Sequence, residues 1–263
     1  MKRTLAIARK EIIAYFTTPI AYVVFAAITV LGSWFFLSLL GQFQRHSFEL
    51  TRMGRDDMLA HMNLTDQVMV PLVMNLALVL MMSVPFLSMR LLSEEKRQGT
   101  MELLLTTPVR PLEIVAGKYI AALAILTTAL ALTLSYPLLL SAFGSGDQGA
   151  VEWPTVLCGY LGLFLLGASA MAVGMFISSL TSSQIVAAFL TLMLLLLTWV
   201  VGWKAVDVEG AAREVLLYLS STQHLISFAN GMVELKDVVY YVSYMVLGLF
   251  LTHRALEGLR WAA

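Results

Sequence analysis

The sequence predicts an all-α fold: a polytopic membrane protein with six transmembrane helices, in a single domain. Three observations predict it. Hydrophobic residues make up 59% of the 263 and charged residues only 13%, about half the share usual in soluble domains. The mean hydropathy of +0.81 leaves too little polar surface to coat a water-soluble fold. Six apolar runs approach the ~20 residues a helix needs to cross a bilayer, and none alternates as a barrel strand does. Helices are required because backbone groups in hydrocarbon must be satisfied within their own segment.

The charged opening, Met1 to Glu11, leads into an apolar run with no small-x-small cleavage site, so it reads as a retained signal anchor. Leu5, Ala8, Ile12, Tyr15 and Phe16 share one helical arc. Lys2, Arg3, Lys10 and Glu11 lie opposite, with Ile7 and Ile13 interrupting the polar side. This predicts an amphipathic interfacial helix over 1–18, ended by Pro19. The spans are expected at about 19–41, 67–89, 118–143, 154–178, 184–203 and 237–253. Asn75, the main polar residue within them, is expected to make an interhelical hydrogen bond. Gly162, Gly167, Ala170 and Gly174 in the fourth span predict close helix approach. Cys158 is the only cysteine and reads as a small apolar helix residue, so no intrachain disulfide can form.

Basic residues set the orientation. With the N-terminus in the cytoplasm, the inside carries Lys2, Arg3, Arg9, Lys10, Arg90, Lys96, Arg97, Arg110, Lys118, Arg254 and Arg260, eleven of the 17. The outside carries Arg45, Arg52, Arg55, Lys204, Arg213 and Lys236. The excess favours both termini inside. Outside the membrane lie a polar loop at 42–66 and a segment at 204–236. In the latter, Val215, Leu216, Leu219, Leu225, Ile226 and Phe228 suggest short helices dipping into the outer leaflet.

Several chemistries are disfavoured. No GxxxxGK[ST] or GxGxxG motif is present, so any ATP dependence must come from a partner. His46, His61, His224 and His253 are scattered without a metal-binding spacing. The spans are nearly free of ionisable residues, which argues against a proton-coupled carrier or cation channel. A zero net charge offers no case for nucleic acid. One catalytic alternative is an intramembrane serine protease using Ser169, in Gly167-Ala168-Ser169-Ala170, with His253.

The stretch 90–117 is the most informative. Thr100, preceded by Gly99, is a candidate N-cap; Glu102 suits the first turn of a helix, Leu103, Leu104 and Leu105 form an apolar ridge, and Pro108 stops the element. Three leucines on a cytoplasmic loop need cover, from a soluble partner or from the bundle.

The run Glu94-Glu95-Lys96-x-x-Gly99-Thr100-x-Glu102-x-Leu104-Leu105-x-x-Pro108, followed by Glu113-Ile114-Val115-x-Gly117-Lys118, resembles the loop motif of ABC-2-type permeases. It is most similar to the subgroup of gliding-motility and copper-enzyme-maturation permeases. Leu219-Ser220, His224, Phe228, Gly231, Asp237-Val238-Val239-Tyr240-Tyr241 and the polar turn Ser178 to Ser183 resemble the same subgroup, so the likeness covers nearly the whole chain. It implies a single ABC-2-type transmembrane domain over 1–263 in a bacterial inner membrane, with 90–117 as the cytoplasmic coupling loop and 204–236 as the outer segment. It further implies that Glu94, Glu95, Gly99, Thr100, Glu102, Leu104, Leu105 and Pro108 dock on a separate cytoplasmic ATPase, which holds the ATP and magnesium, while this chain binds no cofactor and is not itself an enzyme. A second permease copy or a related permease completes the membrane part, in contact with lipid and, in some systems, an auxiliary envelope subunit. The expected function is ATP-driven export; the alternative is a mechanical anchor in an ATP-driven envelope complex that moves no solute.

Overall fold

Every regular element in the computed structural model is helical among the described residues, which are 2–55, 57–58, 62–100, 110–143, 151–205 and 208–262. Six helical stretches are long and apolar enough to cross a membrane: Pro19–Arg52, Thr65–Arg97, Pro111–Phe143, Trp153–Leu180, Gln184–Lys204 and Leu235–Leu259.

Helix α1 (Lys2–Thr17) precedes the first span, α2 (Pro19–Arg52), with Pro19 at the first position of the new helix. At 34 residues α2 is about 51 Å long, well beyond a ~30 Å hydrocarbon core. The apolar run ends near residue 41 as expected, but the helix does not. No breaker occurs in Gln42-Phe43-Gln44-Arg45, and the chain turns only at Gly54, whose φ of 64° suits a residue without a side chain.

The second span enters through a π-helical turn at Thr65–Met69, continues as α3 (Val70–Ser88), breaks at Met89 and extends as α4 (Arg90–Arg97). It therefore runs eight residues past its expected end. Asn75 is half-buried on α3 and makes no side-chain hydrogen bond to a described residue of this chain.

The third span joins α5 (Pro111–Thr133) to α6 (Ser135–Phe143). Pro137 cannot donate to the carbonyl of Thr133, and that carbonyl accepts instead from the Tyr160 hydroxyl at 2.8 Å. Tyr136 reaches the other way, donating to the Thr29 carbonyl of α2 at 2.8 Å and stacking on Phe36.

The fourth span, α7 (Trp153–Leu180), is the axis of the molecule. In its most apolar stretch 72% of the residues are buried, against 28% or less for α2, α8 (Gln184–Lys204) and α11 (Leu235–Ala262). Small residues make this possible. A Cβ on Gly162 would sit 2.6 Å from Phe228, one on Gly167 2.7 Å from Leu126, and one on Gly174 2.1 Å from Ser88 Oγ. Between α8 and α11 lie the two short helices expected from sequence, α9 (Ala211–Leu219) and α10 (Ser221–Ala229). Leu225 and Phe228 of α10 are buried, whereas α9 has no buried residue.

Candidate functional site

The stretch that carries the sequence motif leaves the bundle at the end where the N-terminus lies. Its first turn, α4, is a strongly two-faced helix: Leu91, Leu92 and Ser93 are buried while Lys96 and Arg97 occupy its last turn. The break at Met89 frees N–H groups that a continuous helix would satisfy. Ser178, from the far end of α7, takes them. Its Oγ accepts from the amides of Leu92 at 3.1 Å and Ser93 at 3.0 Å, and donates to the Met89 carbonyl at 2.8 Å. Lys96 Nζ donates to the Ser179 carbonyl at the end of α7, where a cation suits the helix dipole. Gly99, at φ 69°, closes α4 in the left-handed conformation, its amide donating to the Lys96 carbonyl at 3.3 Å.

An ionic cluster binds α4 to its neighbours. Lys118 of α5 is 2% exposed, and its Nζ lies 2.8 Å from Glu11 Oε1 of α1 and 3.0 Å from Glu95 Oε1 of α4. A buried amine is tolerated only with such compensation. Arg90 pairs with Glu94 at 2.9 Å, and its guanidinium carbon stands 5.5 Å from the centre of the Tyr15 ring. Tyr15 donates to the Leu87 carbonyl at 2.6 Å. Burial, with Glu11 adding to it, pushes the Tyr15 phenol well above its usual range, so it stays a donor at physiological pH. A cleft of about 250 Å³ opens among Lys10, Glu11, Glu94, Glu95, Gln98 and Thr100.

Helix α1 is recruited by this cluster rather than by its apolar arc alone. Ala8 and Tyr15 of the expected arc are buried, but Leu5 is 61% exposed and Phe16 is exposed. Ile7, which interrupts the polar side in the sequence, packs on Gly117, where a Cβ would lie 2.9 Å from it. Glu11, assigned to the polar side, faces inward to Lys118.

Of the sequence-predicted residues, Glu94 and Glu95 sit on α4 with the ion pairs described. Gly99 ends that helix, and Thr100 donates from its hydroxyl back to the Glu95 carbonyl at 3.4 Å. Glu102, Leu104, Leu105 and Pro108 lie outside the described residues. Beyond them the chain resumes at Arg110, whose amide donates to Glu113 Oε2 at 3.0 Å, with Pro111 opening α5. Sequence reasoning missed Glu11, Tyr15, Arg90 and Ser178. Lys118 stood in the motif, but nothing in the motif names its partners.

The protease alternative is not supported by the geometry. Ser169 donates to the Leu166 carbonyl at 2.8 Å and lines a small cavity with Tyr241 and Tyr244 of α11. His253 lies nine residues past Tyr244, roughly 13 Å further along that helix. No group of three or more His, Cys, Asp or Glu side chains is placed to hold a metal among the described residues.

No match is found among curated proteins. The sequence does match the family described as "ABC-2 family transporter protein" over residues 5–258. With six membrane-spanning helices and a match over nearly its whole length, this chain, an integral multi-pass permease component, belongs to the ABC-2 family of transporters.

Proposed function

We propose that this chain couples ATP hydrolysis by a separate cytoplasmic ATPase to export, with the Lys118 end of the bundle in the cytoplasm of a bacterial cell and the membrane in question the inner one. The observation that carries this reading is the placement of Lys118. It ties α1, α4 and α5 together at the base of the segment 98–110, so a force applied to that segment reaches three helices at once. In this reading Glu94, Glu95, Gly99 and Thr100 form the described part of the docking site, and Glu102, Leu104, Leu105 and Pro108 supply the rest. Two copies, or this chain with a related one, form the membrane part, as in the gliding-motility and copper-enzyme-maturation subgroup. Spans almost without charge favour a hydrophobic or amphiphilic cargo over a small ion.

The test replaces Glu102 and Leu104 with alanine in the full chain co-expressed with its cognate ATPase. The expected result is loss of ATPase co-purification and of permease-stimulated hydrolysis, with the chain's own thermal unfolding unchanged. Unaltered assembly and hydrolysis would overturn the assignment.

A further inference from the structure

At the opposite end of the bundle, α10 is folded back on the start of α11. His224 Nδ1 stands 2.7 Å from Asp237 Oδ1, and Nε2 stands 2.9 Å from the Tyr218 carbonyl oxygen. Tyr241 donates to the Ser221 carbonyl at 2.9 Å, and Tyr240 to the Leu219 carbonyl at 3.0 Å. These bonds fix the joint but do not complete it. Ser220 Oγ, Ser221 Oγ and Asp237 Oδ2 are all buried without a hydrogen-bond partner among the described residues. Their residues are 0%, 5% and 1% exposed. Buried polar atoms are nearly always satisfied, either by protein or by ordered water.

One of the three opens on a cavity. Ser221 lines a space of about 90 Å³ between α7, α8, α10 and α11. Ser169 of α7, Thr198 of α8 and Tyr241 of α11 bring hydroxyl groups to the same walls. Ser169 donates to the Leu166 carbonyl and Thr198 to the Leu195 carbonyl, both at 2.8 Å. A hydroxyl has one hydrogen and two lone pairs. With their hydrogens committed to carbonyls, Ser169, Thr198 and Tyr241 can only accept from an occupant. Ser221 can both donate and accept. The occupant must therefore be small, must donate to several hydroxyl oxygens and must accept from Ser221 Oγ. A lipid tail does neither. An ionised acid cannot donate, and no basic side chain lines the walls to balance its charge. Water meets every requirement. Apolar cavities stay dry, but a polar one holds water when each molecule finds two to four partners.

We propose that this cavity binds a cluster of ordered waters anchored on Ser221, which joins α7, α8 and α11 to α10. At about 30 Å³ per molecule the space admits about three. Bridging waters hydrogen-bond nearly as favourably as direct contacts, so the α10–α11 joint is closed through water as well as through its direct bonds. The site is separate from the Lys118 cluster and does not rest on the coupling role proposed for it.

The test is radiolytic hydroxyl-radical footprinting of the full chain in lipid nanodiscs, read as methionine oxidation by mass spectrometry. The radical forms from water and reacts close to where it forms, so a buried methionine becomes the sulfoxide only where water lies beside it. Met81 of α3 lines the cavity and is 2% exposed, whereas Met171 and Met175 of α7 are 0% exposed and do not line it. Met81 is expected to be oxidised severalfold faster than Met171 and Met175. Ser221→Ala removes the anchor, and Ala170→Val fills part of the cavity while leaving every hydroxyl in place. In both variants the Met81 rate is expected to fall to that of Met171, with Met171 itself unchanged because the fold is kept. A wild-type chain in which Met81 is oxidised no faster than Met171 and Met175 has a dry cavity, and that result overturns the site whether or not the variants fold. A Met81 rate that stays high in both variants puts the water elsewhere and also overturns it.

Discussion

Lys118 Nζ lies 2.8 Å from Glu11 Oε1, although 107 residues separate them. This contact joins the helix ahead of the first span to the start of the third, and Glu95 brings the end of the second to the same ammonium group. Removing one member of a buried ionic group strands the others and typically costs about 3–5 kcal/mol. Lys118→Met is therefore expected to lower the thermal unfolding midpoint sharply, because two carboxylates each 14% exposed are left facing one another. Adding Glu11→Gln and Glu95→Gln to the same chain is expected to recover much of the loss. Thermal unfolding of the three proteins in one detergent checks both outcomes.

Ser178→Ala removes the acceptor for two amides and the donor to one carbonyl at the α3–α4 break. A buried polar group left unsatisfied costs about 1–3 kcal/mol. Exchange at the Leu92 and Ser93 amides is expected to quicken, while exchange in the middle of α7 stays unchanged. Amide exchange resolved to the 89–97 peptide measures it.

Gly174→Ala places a methyl 2.1 Å from Ser88 Oγ and 2.5 Å from Ser88 Cβ. Alanine gains up to about 1 kcal/mol of helix propensity over glycine, but overpacking of this kind costs about 1–3 kcal/mol. The net effect is expected to be destabilising. The double variant Gly174→Ala with Ser88→Gly is expected to be more stable than Gly174→Ala alone, as read from unfolding midpoints.

Tyr15→Phe keeps the ring under the Arg90 guanidinium but deletes the hydrogen bond to the Leu87 carbonyl. The expected loss is about 0.5–1.5 kcal/mol. Limited proteolysis within α1 is expected to speed up modestly. The larger effect belongs to Tyr15→Ala, which also removes the cation–ring contact.

The spans were legible because a bilayer demands long apolar runs, and those runs have no other use in a chain with so few charges. Their ends were less legible. Hydropathy registers where the apolar run stops at residue 41, not where the helix stops after Arg52, since Gln42 to Arg45 are compatible with either. The close-packing role of Gly162 and Gly174 was readable from residue size, and a Cβ on either would collide with Phe228 or Ser88. The ionic cluster was not readable. On a helical wheel Glu11 belongs with Lys10 on a solvated face, and only the third dimension brings Lys118 to it. His224 and Asp237 both stood among the residues that resemble the subgroup's outer segment, but thirteen positions separate them and nothing in the sequence pairs them; that needs α10 folded back on α11.

The three notches along α7 face three different neighbours: α10 at Gly162, α5 at Gly167 and α3 at Gly174. A shaft keyed at three heights cannot travel along its length without driving side chains into backbone. The rim helices α2 and α8, which bury little of their apolar surface, are the elements left with room to turn about it, whereas α11 is keyed to the shaft in its own right, a Cβ on Gly248 standing 2.8 Å from the Ala172 backbone.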